Sequence, residues 1–400
     1  MDTAGSLKRR SRATVSAAYA AQGFGYAVVV TSLPGLKDRQ GIDDTAIALI
    51  VLLVCVTAAA GSVLADLIAT RAGSRAALVT GLALEVGGIA IVAADAPLWL
   101  FIAGFAVYGS GLGAVDAAGA MQGVLVQRAY GRDLMGGFFA AYTAAAIFGA
   151  LAVAGAAAVG WGVSAALVVV IVVAAFVAGC GLVWFDRSRA GEERHVAART
   201  PLPRRGIWLF GFVILAAFTL DSGVSTWSTV YLQDDLVAAA VIAPLGYAAY
   251  QVAILLTRLA TDRIVGRWGA GPVVMGSTVI SLAGLIVVAA LPFVAAAVLG
   301  FALAGVAVGA LVPLAFTSAG QLAPLRSDQI IARVNLFNYA GAVLGAVVIG
   351  LLADVPGLPL AFLIPAVLLL PVLLLARRFR AAAGRQDAVA ATTAGASADR

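Results

Sequence analysis

Apolar runs of about 20 residues, the length that carries an α-helix across the hydrocarbon of a bilayer, recur twelve times in this 400-residue chain. They lie at 13–33, 45–66, 76–95, 98–124, 136–159 and 163–185, and again at 207–232, 241–261, 272–291, 294–316, 334–353 and 359–376. Charged residues make up 12% of the chain and hydrophobic ones 62%. A water-soluble domain carries about 25% charged residues, so no aqueous surface can be assembled from this inventory. The fold class is all-α and lipid-immersed, because uninterrupted helices satisfy their own backbone groups where water cannot. Gly160-Trp161-Gly162 and Leu291-Pro292 read as tight turns between neighbouring spans.

The second half repeats the first at an offset of 196 residues. Asp66, Arg71 and Gly73 return as Asp262, Arg267 and Gly269; Phe105-Ala106, Gly109 and Gly113 as Phe301-Ala302, Gly305 and Gly309; Gly149-Ala150 as Gly345-Ala346. A duplicated bundle in an apolar chain predicts two six-helix bundles, 13–185 and 207–376, related by a pseudo-two-fold axis. Residues 186–206, with Pro201 and Pro203, read as the linker between them. Residues 1–12 form the N-terminal segment, and 377–400, rich in Ala, Thr, Gly and Ser, read as a disordered tail.

Basic residues orient the spans. With both termini cytoplasmic, all 26 Lys and Arg residues except Lys37 and Arg39 fall on the inner side, as the positive-inside rule requires. The chain is expected in the plasma membrane, multi-pass and monomeric. Its net charge of +6 sits in short gaps between spans rather than in a stripe with interleaved aromatics, which argues against a nucleic-acid partner. Cys55 and Cys180 lie inside spans without metal-ligand spacing, and His195 lies in the linker, so no metal or other cofactor is expected. No phosphate-binding Gly-rich loop occurs and no nucleophile–base cluster recurs, which excludes an ATP-driven pump and an enzyme.

Carboxylates at bilayer depth resist a purely structural reading, because each costs about 2.5–3.5 kcal/mol to insert. Glu85, Asp116 and Asp221 qualify. A structural hydrogen bond or a protonated carboxyl would account for Glu85. Asp116 follows Gly109 and Gly113 on one helix face, with Gly123 further along it, and its repeat partner is the apolar Val312. The duplication supplies the scaffold there, and the acid belongs to one half only. Asp221 opens a polar stretch through Ser222, Ser225, Thr226, Trp227, Ser228 and Thr229, which requires a face on water or protein. Gln22, Tyr26, Gln122, Tyr142, Trp227, Gln251 and Asn338 are further candidates for substrate or proton handling, although membrane helices also use such groups as packing contacts. Tyr231 fits an interfacial aromatic belt. Asp66 with Arg71, and Arg258, Asp262, Arg263 and Arg267, form two charge clusters at the cytoplasmic ends of spans 2 and 8, placed to act as an inner gate.

At these residues the chain resembles the major facilitator superfamily over roughly 13–380. Asp66…Arg71-x-Gly73 is similar to that superfamily's loop signature. Gly111-x-Gly113-x-x-Asp116-Ala117-Ala118…Gln122-Gly123-Val124, Met135-x-Gly137-Phe138, Trp227-Ser228…Tyr231-Leu232 and Arg258-x-x-x-Asp262-Arg263 resemble a bacterial inner-membrane, fucose-permease-like subgroup. The resemblance implies twelve transmembrane helices and alternating access around a site between spans 1, 4, 5 and 7, 8, 10, 11. It implies movement of a small organic solute, proton-linked or facilitative. Efflux of a drug or metabolite by the same fold and a non-transporting receptor or scaffold stay open. Ala120, Asp221 and Thr226 depart from the subgroup's pattern, so substrate is not inherited. Fucose–proton symporters carry acids on helices 1 and 4; Asp116 matches the second, whereas helix 1 offers Gln22. The absence of proline in 144–155 and of an arginine before Gln122 leans against a drug–proton antiporter.

Overall fold

The computed structural model describes residues 3–130, 134–186, 202–323, 327–353 and 357–379, and among them no strand occurs. The first half contains α1 (Thr3–Thr31), the short α2 (Leu33–Gln40), α3 (Asp44–Ala72), α4 (Ser74–Ala93), α5 (Leu98–Tyr130), α6 (Met135–Ala158) and α7 (Val163–Trp184). The second contains α8 (Arg204–Val230), which runs into a π-helical turn at Tyr231–Asp235, then α9 (Pro244–Trp268), α10 (Ala270–Ala290) and α11 (Val294–Gly320). It continues with α12 (Ser327–Val343), a second π-helical turn at Leu344–Val348, α13 (Ile349–Leu351) and α14 (Leu358–Ala361), which leads into helical residues 363–379.

Eleven of these helical stretches are long and apolar enough to cross a bilayer. α9 occupies the place of the expected eighth span but falls outside that set. Its 25 residues carry Tyr247, Tyr250 and Gln251 in one half and Arg258, Asp262, Arg263 and Arg267 in the other, which dilutes its hydropathy without interrupting the helix. α1 and α8, the first spans of the two halves, are the most enclosed, with 67% of their apolar windows buried, against 28% for α3. The expected linker falls mainly on 187–201 and the expected tail mainly on 380–400, outside the described residues. α8 already begins at Arg204, the last span runs on to Phe379, and α1 begins at Thr3, well before residue 13.

The sequence repeat is a packing repeat. Gly73 and Gly269 stand at the starts of α4 and α10 with φ of 92° and 80°, a backbone region that side chains disfavour. Gly88 lies where α4 meets α5, and a Cβ there would come 2.8 Å from the Gly104 carbonyl oxygen. Gly284 does the same between α10 and α11, 2.5 Å from the Gly300 oxygen. Gly113 abuts Ala58, and Gly309 abuts Ile254; Gly149 abuts Ala27, and Gly345 abuts Gly223. Every second member of these contacts lies 196 residues beyond the first. Small residues let membrane helices approach to backbone contact, and here that device was copied with the chain.

By compactness the chain divides into two units that are not contiguous stretches of sequence. The first gathers residues 1–196 with 225–252 and 346–358; the second holds 197–224, 253–345 and 359–400. Inside the first unit, the far half of α8 is almost wholly enclosed: Trp227, Val230, Tyr231 and Leu232 have no exposure. The Trp227 indole N–H donates to the Ala346 carbonyl at 2.8 Å, and Gly350 seats against Trp227 and Ala48. That end of the unit, which carries the α1–α2 connection, is closed by apolar packing.

Candidate functional site

α5 packs against α3 and α4 through glycines, which leaves the face bearing Asp116, Ala120 and Val124 exposed within the first unit. Gln22, buried on α1, turns its amide to that face: Nε2 donates to Asp116 Oδ1 at 2.7 Å and lies 3.4 Å from the Leu112 carbonyl. A carboxyl that is accessible and held by one neutral donor can take up and release a proton or bind a polar group. Tyr26 stands one turn beyond Gln22 on α1. Tyr19 stands just before it, stacked on Phe138 and edge-on to Phe139, both with ring centroids 5.5 Å apart. Tyr142 of α6 packs on the same apolar cluster. Aromatic rings beside an accessible acid make a wall that suits a small organic solute.

Gln122 does not join this group. Its Nε2 donates to Ser74 Oγ at 2.9 Å and to the Asp186 carbonyl at 2.8 Å, while its Oε1 accepts from the Asp186 N–H at 3.0 Å. The amide is fully committed to fastening α5 to the start of α4 and the end of α7. Trp227, buried with its N–H on Ala346, fastens α8 in the same way. Gln251 donates to the Tyr247 hydroxyl at 2.5 Å inside the first unit.

The second unit holds Asp221, half-buried on α8, one residue before Ser222, whose hydroxyl donates to the Ala342 carbonyl at 2.8 Å. Asn338 of α12 donates to Asn335 Oδ1 at 3.3 Å. Asp66 and Arg71 lie at the opposite end of α3 from Asp44, the partner of Lys37. Asp66 and Arg71 are exposed at the end of α3, and Asp262, Arg263 and Arg267 are exposed at the end of α9, with Arg258 half-buried.

Lys37, at the closed end of the first unit, was not singled out as a site by sequence reasoning. Its ammonium, on α2, pairs with Asp44 at 2.8 Å and with Asp234 in the π-helical turn after α8. Burial works against the charge, but hydrogen bonds to Asp234 and Asp44 outweigh it and hold the lysine above its ordinary range. Arg39 donates to the carbonyls of Val92 and Ala93 and to Ser164, and burial lowers its affinity for its proton. The signal for Lys37 was its side: it is one of two basic residues on the sparsely charged face.

The sequence matches the Major Facilitator Superfamily over residues 15–291 and 210–396, which together span nearly the whole chain. The chain belongs to the Major Facilitator Superfamily. Its relatives in that superfamily include an uncharacterized MFS-type transporter of Yersinia pestis, 29% identical over 89% of this chain and 92% of the relative. The chain is also similar to the membrane protein MosC of Rhizobium meliloti, 23% identical over 85% and 83% of the two chains. Among solved structures, the nucleoside transporter NupG superimposes with a TM-score of 0.68 at 14% identity, covering 94% of this chain and 98% of that one. FucP in the outward conformation gives 0.62 at 15% identity, covering 92% and 98%. As a member of the superfamily the protein is a multi-pass membrane transporter of solutes and not an enzyme.

Proposed function

We propose that the protein moves a small organic solute across the plasma membrane by alternating access, with proton movement linked to it through Asp116. The observation that carries this reading is the Gln22–Asp116 hydrogen bond on an exposed face at mid-span. An acid at that depth is costly, and the equivalent position in the other half is the apolar Val312, so packing does not require it. Asp221 serves the opposite half as a recognition group, with Tyr19, Tyr26 and Tyr142 lining the solute's path. The six-helix halves rock against each other, the termini are cytoplasmic, and the Lys37 end faces outward. The Lys37–Asp234 pair then ties an outer loop of the first half to the end of α8, as an outer latch. The Asp66 and Asp262 clusters gate the inner side. The protein works as a monomer in the bilayer. The nucleoside transporter NupG, a neighbour in fold, supports a small organic solute.

A solute found by growth and uptake screening of a deletion strain is the reagent for the test. Purified protein in liposomes preloaded with that solute should drive counterflow of labelled solute. Binding without counterflow would assign a receptor and reject transport. Oriented vesicles then fix the direction of movement.

A further inference from the structure

The repeat exposes a second carboxyl with a purpose. Glu85 on α4 and Ser281 on α10 occupy equivalent places, 196 residues apart. Ser281 is what this helix crossing needs structurally: its hydroxyl bonds the Ala304 carbonyl at 2.8 Å and accepts the Ala307 N–H at 2.8 Å. Glu85 abandons those bonds. It is 4% exposed, and its Oε1 has no hydrogen-bond partner. The partner helix has changed to admit it. Ala307 is matched by Gly111, where a Cβ would fall 2.9 Å from Glu85 Cγ and 2.5 Å from its backbone nitrogen. Ala304 is matched by Tyr108, 3% exposed, whose hydroxyl is also unpartnered. Asp116, which replaces Val312, completes the set. Three polar side chains in one half thus stand where the other has a serine, an alanine and a valine.

We propose that Glu85 is a second proton-carrying carboxyl of the transporter, distinct from Asp116. Asp116 is exposed, whereas Glu85 and Tyr108 are both enclosed. A buried carboxyl with an unpartnered oxygen and no ion-pair partner among the described residues rests as the uncharged acid. From α5, Tyr108 is the titratable group set at this crossing, in the place of Ala304, with Asp116 further along the same helix. α7 contributes no titratable side chain except Cys180, and α3 only Cys55 between Asp44 and Asp66 near its ends. The inference rests on the proton-linked reading for its role in transport, but proton occupancy at Glu85 can be observed without any solute.

Infrared difference spectroscopy of the full-length protein in lipid, recorded across a pH titration, tests it. The wild type is expected to show a protonated-carboxyl band that vanishes in Glu85→Gln and remains in Asp116→Asn. Glu85→Ser, which copies Ser281, keeps the test alive if the glutamine variant fails to fold. Both Glu85 variants should retain counterflow and lose most of the pH-driven accumulation, by tenfold or more. A band unchanged in both Glu85 variants overturns the proposal. So does full pH-driven accumulation in either. If the wild type itself shows no proton coupling while the band still belongs to Glu85, the proton-linked reading fails and the role of Glu85 in transport falls with it, leaving only its proton occupancy standing.

Discussion

Gln22 Nε2 donates to Asp116 Oδ1 at 2.7 Å, joining a neutral amide on the first span to an acid on the fourth. A hydrogen bond to a charged group contributes about 1.5–3 kcal/mol, less where the group is accessible. Gln22→Ala should therefore lower transport about tenfold, corresponding to about 1.4 kcal/mol, without lowering the amount of protein in the membrane. Initial uptake rates normalised to membrane content check this. A rate equal to the wild type's would show that the bond is incidental.

Lys37 binds two carboxylates from different parts of the first unit, Asp44 at the start of α3 and Asp234 after α8. Partly exposed ion pairs contribute about 0.2–1 kcal/mol, so Lys37→Met should loosen this end by a few-fold rather than abolish transport. Ala48, fully buried against Gly350, is the reporter. In a Cys55→Ala, Cys180→Ala background, Ala48→Cys should react faster with an impermeant maleimide once Lys37 is replaced.

The same pair has a defined pH response. Lys37 holds its proton above the usual lysine range, so its stabilising effect is complete below about 10.5 and is lost only as pH rises beyond the raised value. Labelling of Ala48→Cys, corrected for maleimide reactivity, should thus stay flat between about pH 8 and pH 9, clear of the carboxylates Asp44, Asp234 and Asp235 around Lys37. A slope in that window that persists in Lys37→Met would place the controlling group elsewhere.

Gly87 and Gly88 are neighbours with opposite surroundings: nothing lies within 4 Å of a Cβ on Gly87, whereas one on Gly88 would meet the α5 backbone. Gly88→Ala should cost about 1–3 kcal/mol through overpacking and lower the melting temperature by several degrees. Gly87→Ala should be neutral or stabilising, since alanine favours the helix by up to about 1 kcal/mol. Gly284→Ala should behave like Gly88→Ala, because it occupies the copied crossing. Thermal scanning of purified variants decides the matter.

Spans and repeat were legible in sequence because bilayer thickness and duplication both leave marks in one dimension. Gly88 against Gly104 and Gly284 against Gly300 are the same crossing written twice. Roles of single polar residues were less legible. Polarity at bilayer depth announces that a side chain needs a partner but does not say whether that partner is solute or backbone. Gln122 and Trp227 spend their hydrogen bonds on Ser74, Asp186 and Ala346, whereas Asp116 keeps an accessible carboxyl. Lys37 and Asp234 could not be matched by inspection, since nothing in either loop specifies which turn of α8's end it will meet. Glu85 was visible as an anomaly, and only the contacts of Ser281 reveal what it displaced.

The central claim is that Asp116 links proton movement to solute movement, and accumulation under an imposed pH gradient tests it most directly. Wild-type protein in sealed vesicles should concentrate its solute when the gradient is applied and release it when the gradient is collapsed. Asp116→Asn, present at the same level, should only equilibrate the solute. Accumulation by that variant to the wild-type level would contradict the account.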